Sequence, residues 1–369
     1  MKRGTGDYRA FDRGRAAKLF VLLAVMVPYF FVSAGTPAQA QGQELYVVAM
    51  HPRSLLLFDG SRDEIVGEIQ TRGRNPREVV PSPDGRFVYT TTEGRAQLEM
   101  INLQTRKVER VFDLAPPGYR LTIYGVAISS KGDRLYVHVK PVRELVDEYK
   151  VDPPQIWSVD VNTGKSKKIV EVPQGVAALV MTKDGRRLIA WGRDLYYIDM
   201  AQGRITDTLP LFNRNLPGLG PLDTLPLFIE YARSGVLSCP YYTTDPILKK
   251  TLFGLANLDL STGKMDLVEL GPAIPLYSSV VSADRKRAYG VMNQLVTVDL
   301  PAGRVLNVQD LERTQYITNI SRDSKKLYVS GASYFIHVYD TGTLKLIKTV
   351  KLSGDASIAF SAIPAAAVH

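Results

Sequence analysis

The richest group of chemically useful side chains in this sequence is Cys239-Pro240-Tyr241-Tyr242-Thr243-Thr244-Asp245-Pro246, which puts two phenols, two hydroxyls and a carboxylate beside a thiol. Aromatic faces near a carboxylate suit an organic ammonium, and Tyr or Trp at a dry surface suits a protein partner. Tyr124, Trp191, Tyr277 and Tyr316 are expected on the same side of the molecule and would extend such a surface. Packing is the competing assignment. In that case the rings hold their connections onto the body, and Asp245 caps a turn before Pro246.

Other catalytic chemistry is sparse. Cys239 is the single cysteine, so the chain can form no internal disulfide, no paired-cysteine zinc site and no C-x-x-C-H haem attachment. Following Val236-Leu237-Ser238, it reads as a small buried apolar residue at a strand end. The histidines at 51, 138, 337 and 369 are scattered, and His138 and His337 lie in strand-like runs where neighbours should satisfy them. There is no G-x-S-x-G, H-E-x-x-H, phosphate loop or dinucleotide fingerprint, and Gly218-Leu219-Gly220 lacks a third glycine. No catalytic residue and no metal ligand is assigned on this chain.

The elements that position these residues follow from composition and repetition. With 45% apolar and 22% charged residues, the 369-residue chain has the balance of a globular protein. Lys2, Arg3, Arg9, Arg13, Arg15 and Lys18 precede an apolar run from Leu19 to about Ala34, and Ala38-Gln39-Ala40 supplies an A-x-A cleavage site. Residues 1–40 therefore read as an export signal, leaving 41–369 as the mature domain. Removing the six Lys/Arg and two Asp/Glu of that segment lowers the net charge from +9 to +5. A charge of that size, without a dense basic tract, predicts a solvated surface and no nucleic-acid partner, and the cleaved chain is expected to keep no membrane anchor.

A polar turn feeding a strand recurs at Ser82-Pro83-Asp84-Gly85, Ser129, Thr182, Ser282 and Ser321, with a degenerate copy at Arg233-Ser234-Gly235. A second recurrence, a strand ending in Asp or Asn before a turn, appears at Asp59, Asn102, Asp160, Asp199, Asp259, Asp299 and Asp340. These aspartates read as turn formers, because Asp bonds its own backbone there. Seven copies over residues 41–369 give about 47 residues each, which is the period of a four-stranded propeller blade. The chain is thus expected to be all-β, a seven-bladed β-propeller. Its first strands, Leu45–Met50, Leu55–Phe58 and Ile65–Ile69, lack an inner partner, and Ala356–Ala362 is spare, so the terminal strands should pair and close the ring.

Within each blade the strands run A to D from the axis outwards. A–B and C–D turns then share one rim, while B–C and D–A connections share the other. The long connections, 141–154, 240–252, 115–124, 212–225 and 271–277, all fall on the second rim, which is expected to be the working face. Val142, Leu145, Val146 and Tyr149 have helical spacing, so a short helical turn is expected in the first of these.

Lys140-Pro141-Val142-Arg143, Gly192-Arg193-Asp194-Leu195, Ser234-Gly235-Val236 with Pro240-Tyr241-Tyr242-Thr243, and Ser353-Gly354-Asp355-Ala356-Ser357 give the chain a specific likeness. It resembles the β-propeller subunit of quinohemoprotein amine dehydrogenase over most of residues 41–369. The resemblance implies a periplasmic complex of three different subunits that oxidises primary amines to aldehyde and ammonia. It implies cysteine tryptophylquinone on a small partner subunit, haem c on a di-haem partner, and no cofactor on this chain. The propeller would help enclose the substrate cavity, with Tyr241, Tyr242, Asp245, Tyr124, Trp191, Tyr277 and Tyr316 facing substrate or partner. The alternative is a solitary exported propeller that binds a small ligand or a surface partner through the same rim.

Overall fold

The computed structural model describes residues 44–214, 218, 220–226, 233–331 and 333–365. The proposed export signal, residues 1–40, lies outside them. Seven antiparallel sheets follow one another along the chain. Blade 1 combines Ala356–Ala362 with Leu45–Met50, Ser54–Asp59 and Glu64–Gln70, and blade 2 runs from Arg77 to Phe112. Blades 3 to 7 span Tyr119–Glu171, Ala178–Leu209, Leu222–Gly271, Ser278–Asp310 and Ile317–Lys351. The protein is a seven-bladed β-propeller.

Burial explains the composition of the strands. Each blade is packed between two neighbours, so its middle strands carry near-continuous apolar runs; in Ser54–Asp59 every residue is buried. Outer strands such as Leu346–Lys351 are mostly exposed. The core is divided into seven apolar clusters, one for each pair of adjacent blades.

The ring is closed by its two ends. Tyr46 pairs with Ala362, Val47 with Ser361 and Val48 with Phe360. Tyr46, Phe58, Tyr328 and Phe360 pack edge to face across blades 1 and 7, with Tyr46 and Phe58 each 5.1 Å from the Tyr328 ring. Arg233 of blade 5 reaches this seam. Its guanidinium donates to Glu44 Oε1 at 3.1 Å, Tyr46 Oη at 2.8 Å, Leu45 O at 3.3 Å and Ile363 O at 3.2 Å.

The repeated turns perform as their chemistry requires. Ser82 Oγ donates to Asp84 Oδ1 at 2.6 Å while Gly85 takes φ of 63°. The same hydroxyl-to-carboxylate bond recurs at Thr182–Asp184, Ser282–Asp284 and Ser321–Asp323. All seven Asp or Asn positions end the C strands. Asp160 Oδ1, for example, accepts the backbone N–H of Asn162 and Thr163 at 3.1 and 2.8 Å.

The other rim departs from expectation. The connection at 141–154 contains no helix: Arg134–Glu144 runs on past the blade, and Tyr149–Val151 returns beside it. The opposite edge is covered by Tyr119–Thr122, so both edges of the extension are paired. Likewise 240–252 is mostly strand, a continuous hairpin of Val236–Asp245 and Lys250–Asp259 closed by a turn at 246–249. The expected long loops in blades 3 and 5 are therefore projecting hairpins. Extra ladder bonds, absent from any single-strand pattern, hold them extended.

Candidate functional site at the elaborated rim

Both hairpins carry exposed apolar residues at their tips. In blade 3, Leu145 N donates to Glu148 O at 2.9 Å to close the turn. Arg143 clamps Asp152 at 2.6 Å across the strands. In blade 5, Asp245 Oδ1 accepts the N–H groups of Ile247 and Leu248 at 2.8 and 2.9 Å, so Asp245 is a turn cap. The five most exposed large apolar side chains among the described residues all lie on these hairpins: Val146 at 107%, Ile247 at 79%, then Val151, Tyr149 and Leu248. Closed turns hold these aliphatic side chains out in water.

The aromatic residues singled out from the sequence do not form one cluster. Tyr241 and Tyr242 lie within a strand and not in a loop. Tyr242 is exposed, and its hydroxyl donates to Asp223 Oδ2 at 3.2 Å. Tyr241 is buried, its ring lying flat on Gly254 of the paired strand; a Cβ there would come within 2.2 Å of the ring. Gly254→Ala should therefore cost about 2 kcal/mol of stability in denaturant unfolding, through forced repacking of Tyr241. A change below about 0.5 kcal/mol would show that the ring moves freely.

Trp191 is fully buried in the cluster between blades 4 and 5, and its Nε1 donates to Thr224 Oγ1 at 3.1 Å. Its place near the rim does not make it an outward-facing residue. Tyr277 and Tyr316 stack with ring centres 5.0 Å apart, joining the connections into blades 6 and 7. Asp194, buried after Trp191, orders the connection into blade 5: its Oδ1 accepts from Leu211 N and Phe212 N at 2.7 and 3.0 Å, and its Oδ2 from Asn213 Nδ2 at 2.7 Å. Although burial raises the Asp194 carboxyl pKa, these donors outweigh it and hold the group below the usual carboxylate range.

Tyr124 belongs to a centre that sequence reasoning missed. The Arg95 guanidinium lies 4.4 Å from its ring centre and Lys140 Nζ 4.1 Å from it. Arg95 Nη1 donates to Glu78 Oε1 at 3.0 Å and to Ile123 O at 3.4 Å. Glu78 Oε1 also accepts Gly125 N at 3.2 Å, while Glu78 Oε2 is buried without a partner. The Glu78 side chain is 20% exposed and the Arg95 side chain 8%. Burial raises the Glu78 carboxyl pKa, against the opposing pull of Arg95 and of the Gly125 N–H.

The local backbone is strained to place this pair. Glu78 has φ of 50° and Arg95 φ of 76°, a left-handed region that non-glycine residues rarely enter. Gly125 has φ of 95°, and a Cβ there would meet Leu179 N at 3.0 Å. Strain of this kind clusters at functional sites, where the surroundings enforce it.

His138 lies behind Tyr124. Its Nδ1 lies 2.7 Å from Tyr124 O and donates to it, but Nε2 is buried without a partner, so its neighbours satisfy only half of the ring. Desolvation pushes its pKa down to about 4, so the ring is neutral at ordinary pH. His337, by contrast, is half-buried with Nδ1 3.2 Å from Thr349 Oγ1. Cys239 is fully buried and burial drives its thiol pKa up, as its apolar setting predicts. Among the described residues no group of three or more His, Cys, Asp or Glu is placed to hold a metal ion.

No family model matches the chain, and no curated protein does so. Solved structures share its architecture. It is similar to hydrazine synthase of Kuenenia stuttgartiensis, 14% identical with a TM-score of 0.54 over 87% of this chain and 99% of that one. It is also similar to the dihydro-heme d1 dehydrogenase NirN in complex with DHE, 17% identical with a TM-score of 0.51 over 85% of this chain and 74% of that one. A functionally unknown protein from Desulfotomaculum acetoxidans DSM 771 is 13% identical, with a TM-score of 0.56 over 87% of this chain and 99% of that one. At these identities the likeness establishes the seven-bladed propeller.

Proposed function

We propose that this chain is the propeller subunit of a periplasmic amine-oxidising complex of the quinohemoprotein amine dehydrogenase kind. The observation that carries the docking part of this reading is the pair of rigid hairpins on one rim, which hold the most exposed apolar residues where a partner could cover them. Two of the similar solved structures bear the names of nitrogen or haem redox enzymes, which agrees with a redox assembly.

The residues of this chain do not fit a covalently attached haem or quinone, since its one cysteine is buried in the core between blades 4 and 5. Cysteine tryptophylquinone on a small subunit and haem c on a di-haem subunit would supply the oxidising chemistry. The propeller would supply a rigid wall, with Tyr242 and the hairpin tips closing the interface around a primary amine and excluding water.

The double variant Val146→Asp/Ile247→Asp tests the docking surface. Both side chains are exposed, so stability should change by less than about 0.5 kcal/mol, while partners co-purified with a tagged chain from its native periplasm should be lost. Unchanged recovery of the partners would place the interface elsewhere. A wild-type chain that recovers no haem-bearing partner would favour the solitary binding module.

A further inference from the structure

We propose that the rim opposite the two hairpins is a docking face for the phosphate headgroups of an anionic lipid bilayer. The six turns that lead into the B strands of blades 2 to 7, residues 82–87, 129–134, 182–187, 233–235, 282–287 and 321–326, hold thirteen Lys or Arg against five Asp, a net charge of +8. Residues 41–369 as a whole carry only +5, so everything outside these turns sums to −3. The C–D turns on the same rim carry no net charge. A positive excess that looks evenly spread along the sequence is thus gathered on one face, in a ring around the axis. Two features keep it available. The aspartates are engaged inside their own turns: Ser129 Oγ donates to Asp133 Oδ1 at 2.7 Å, as Ser82 does to Asp84, and Asp84, Asp184, Asp284 and Asp323 also accept the backbone N–H of Arg86, Arg186, Lys286 and Lys325 at 3.0 to 3.1 Å. The basic side chains stand outside these bonds. Lys131, Lys183, Arg186, Lys286, Arg322 and Lys325 are exposed and enter no ion pair among the described residues.

The kind of partner follows from what this face lacks. No large apolar side chain is exposed on any of these turns, whereas the centre of a protein–protein interface is apolar and rich in aromatic residues. Separate cations on short turns, with no apolar wedge between them, suit a broad surface that offers negative charge at every point. Each Lys or Arg brought near an anionic membrane strengthens binding by about fivefold at low salt. The hairpins project from the opposite rim, so a bilayer on this face leaves them open. The contact is peripheral, needs no inserted segment and does not rest on the amine-oxidising reading.

Co-sedimentation of the protein, purified from its native cells, with phosphatidylglycerol–phosphatidylcholine vesicles tests the proposal, pure phosphatidylcholine vesicles serving as the comparison. Binding to the anionic vesicles should be stronger by about tenfold or more, and raising the salt from about 0.05 M to about 0.5 M should release the protein. The variant Lys131→Glu/Lys183→Glu/Lys286→Glu/Lys325→Glu should keep the wild-type circular dichroism and bind about a hundredfold more weakly. Arg53→Glu/Arg72→Glu/Arg74→Glu/Lys351→Glu removes the same charge from exposed positions on the hairpin rim and should lose less than about threefold. Strands of six residues, such as Leu45–Met50, part the rims by about 20 Å, roughly two Debye lengths at 0.1 M salt. If a variant does not fold, the lipid and salt comparisons on the wild-type chain still decide. Equal binding to both kinds of vesicle, or equal weakening by the two variants, would overturn the proposal. Displacement by inorganic phosphate at constant ionic strength would make the turns separate phosphate sites, and tighter binding to soluble poly-L-glutamate than to anionic vesicles would assign the face to an acidic protein; either result overturns the bilayer.

Discussion

Arg95→Ala lowers the unfolding free energy by about 3 to 5 kcal/mol, measured by denaturant unfolding near neutral pH. The side chain is buried, pairs with Glu78 at 3.0 Å and packs on Tyr124. Without it, the Glu78 carboxyl keeps only the Gly125 N–H and loses the positive charge that offsets the penalty of its burial. Glu78→Leu is expected to cost a similar amount, because it leaves the guanidinium without its acceptor. The paired replacement Glu78→Leu/Arg95→Met removes both charges and should recover much of the loss, since an ion pair of this kind adds little over well-packed apolar residues. Single variants within 1 kcal/mol of wild type would show that solvent reaches the pair and that the strained backbone is held by something else.

His138 gives the chain a pH dependence with a defined window. Its native pKa of about 4 lies below the ordinary value of 6.5 because burial penalises the imidazolium. A depressed native pKa means that the unfolded chain takes up the proton first. The contribution of His138 is therefore complete above about pH 6.5 and is lost as the pH falls towards 4, a total on the order of 3 kcal/mol. Turn aspartates such as Asp84, Asp184 and Asp284 are held below the ordinary carboxylate value of 3.8, so their contributions fade in a separate, more acid range. Unfolding free energy measured from pH 7 to pH 4 should fall more steeply for wild type than for His138→Gln by that amount. Parallel curves would mean that Nε2 is hydrated and titrates freely.

What could be read without coordinates was whatever repeats. The C-strand aspartates and the Ser-x-Asp turns work through bonds to residues two or three positions away, so each copy carries its own evidence and seven copies determine the ring. Closure was legible for the same reason, since a missing inner strand at one end matches a spare strand at the other. The projecting hairpins were not legible. Val142, Leu145, Val146 and Tyr149 fit a helical period over so short a run that pairing with Tyr119–Thr122 had to decide. Trp191 sits at a strand end and so reads as a rim residue, yet Thr224, in the next blade, accepts its indole N–H and completes its burial. The Glu78 centre draws on an inner strand, a B–C turn and a bulged strand of the next blade. No local spacing joins those three; their only sequence trace is a charged residue leading an apolar inner strand, Arg77-Glu78-Val79-Val80.

The most direct test of the redox-subunit account is isolation of the tagged native chain from its own periplasm under mild conditions, followed by absorption spectroscopy and assay of amine-dependent dye reduction. The account predicts a complex carrying a c-type haem spectrum that reduces the dye when a primary amine is added. A colourless chain, recovered alone and inert to amines, would contradict it.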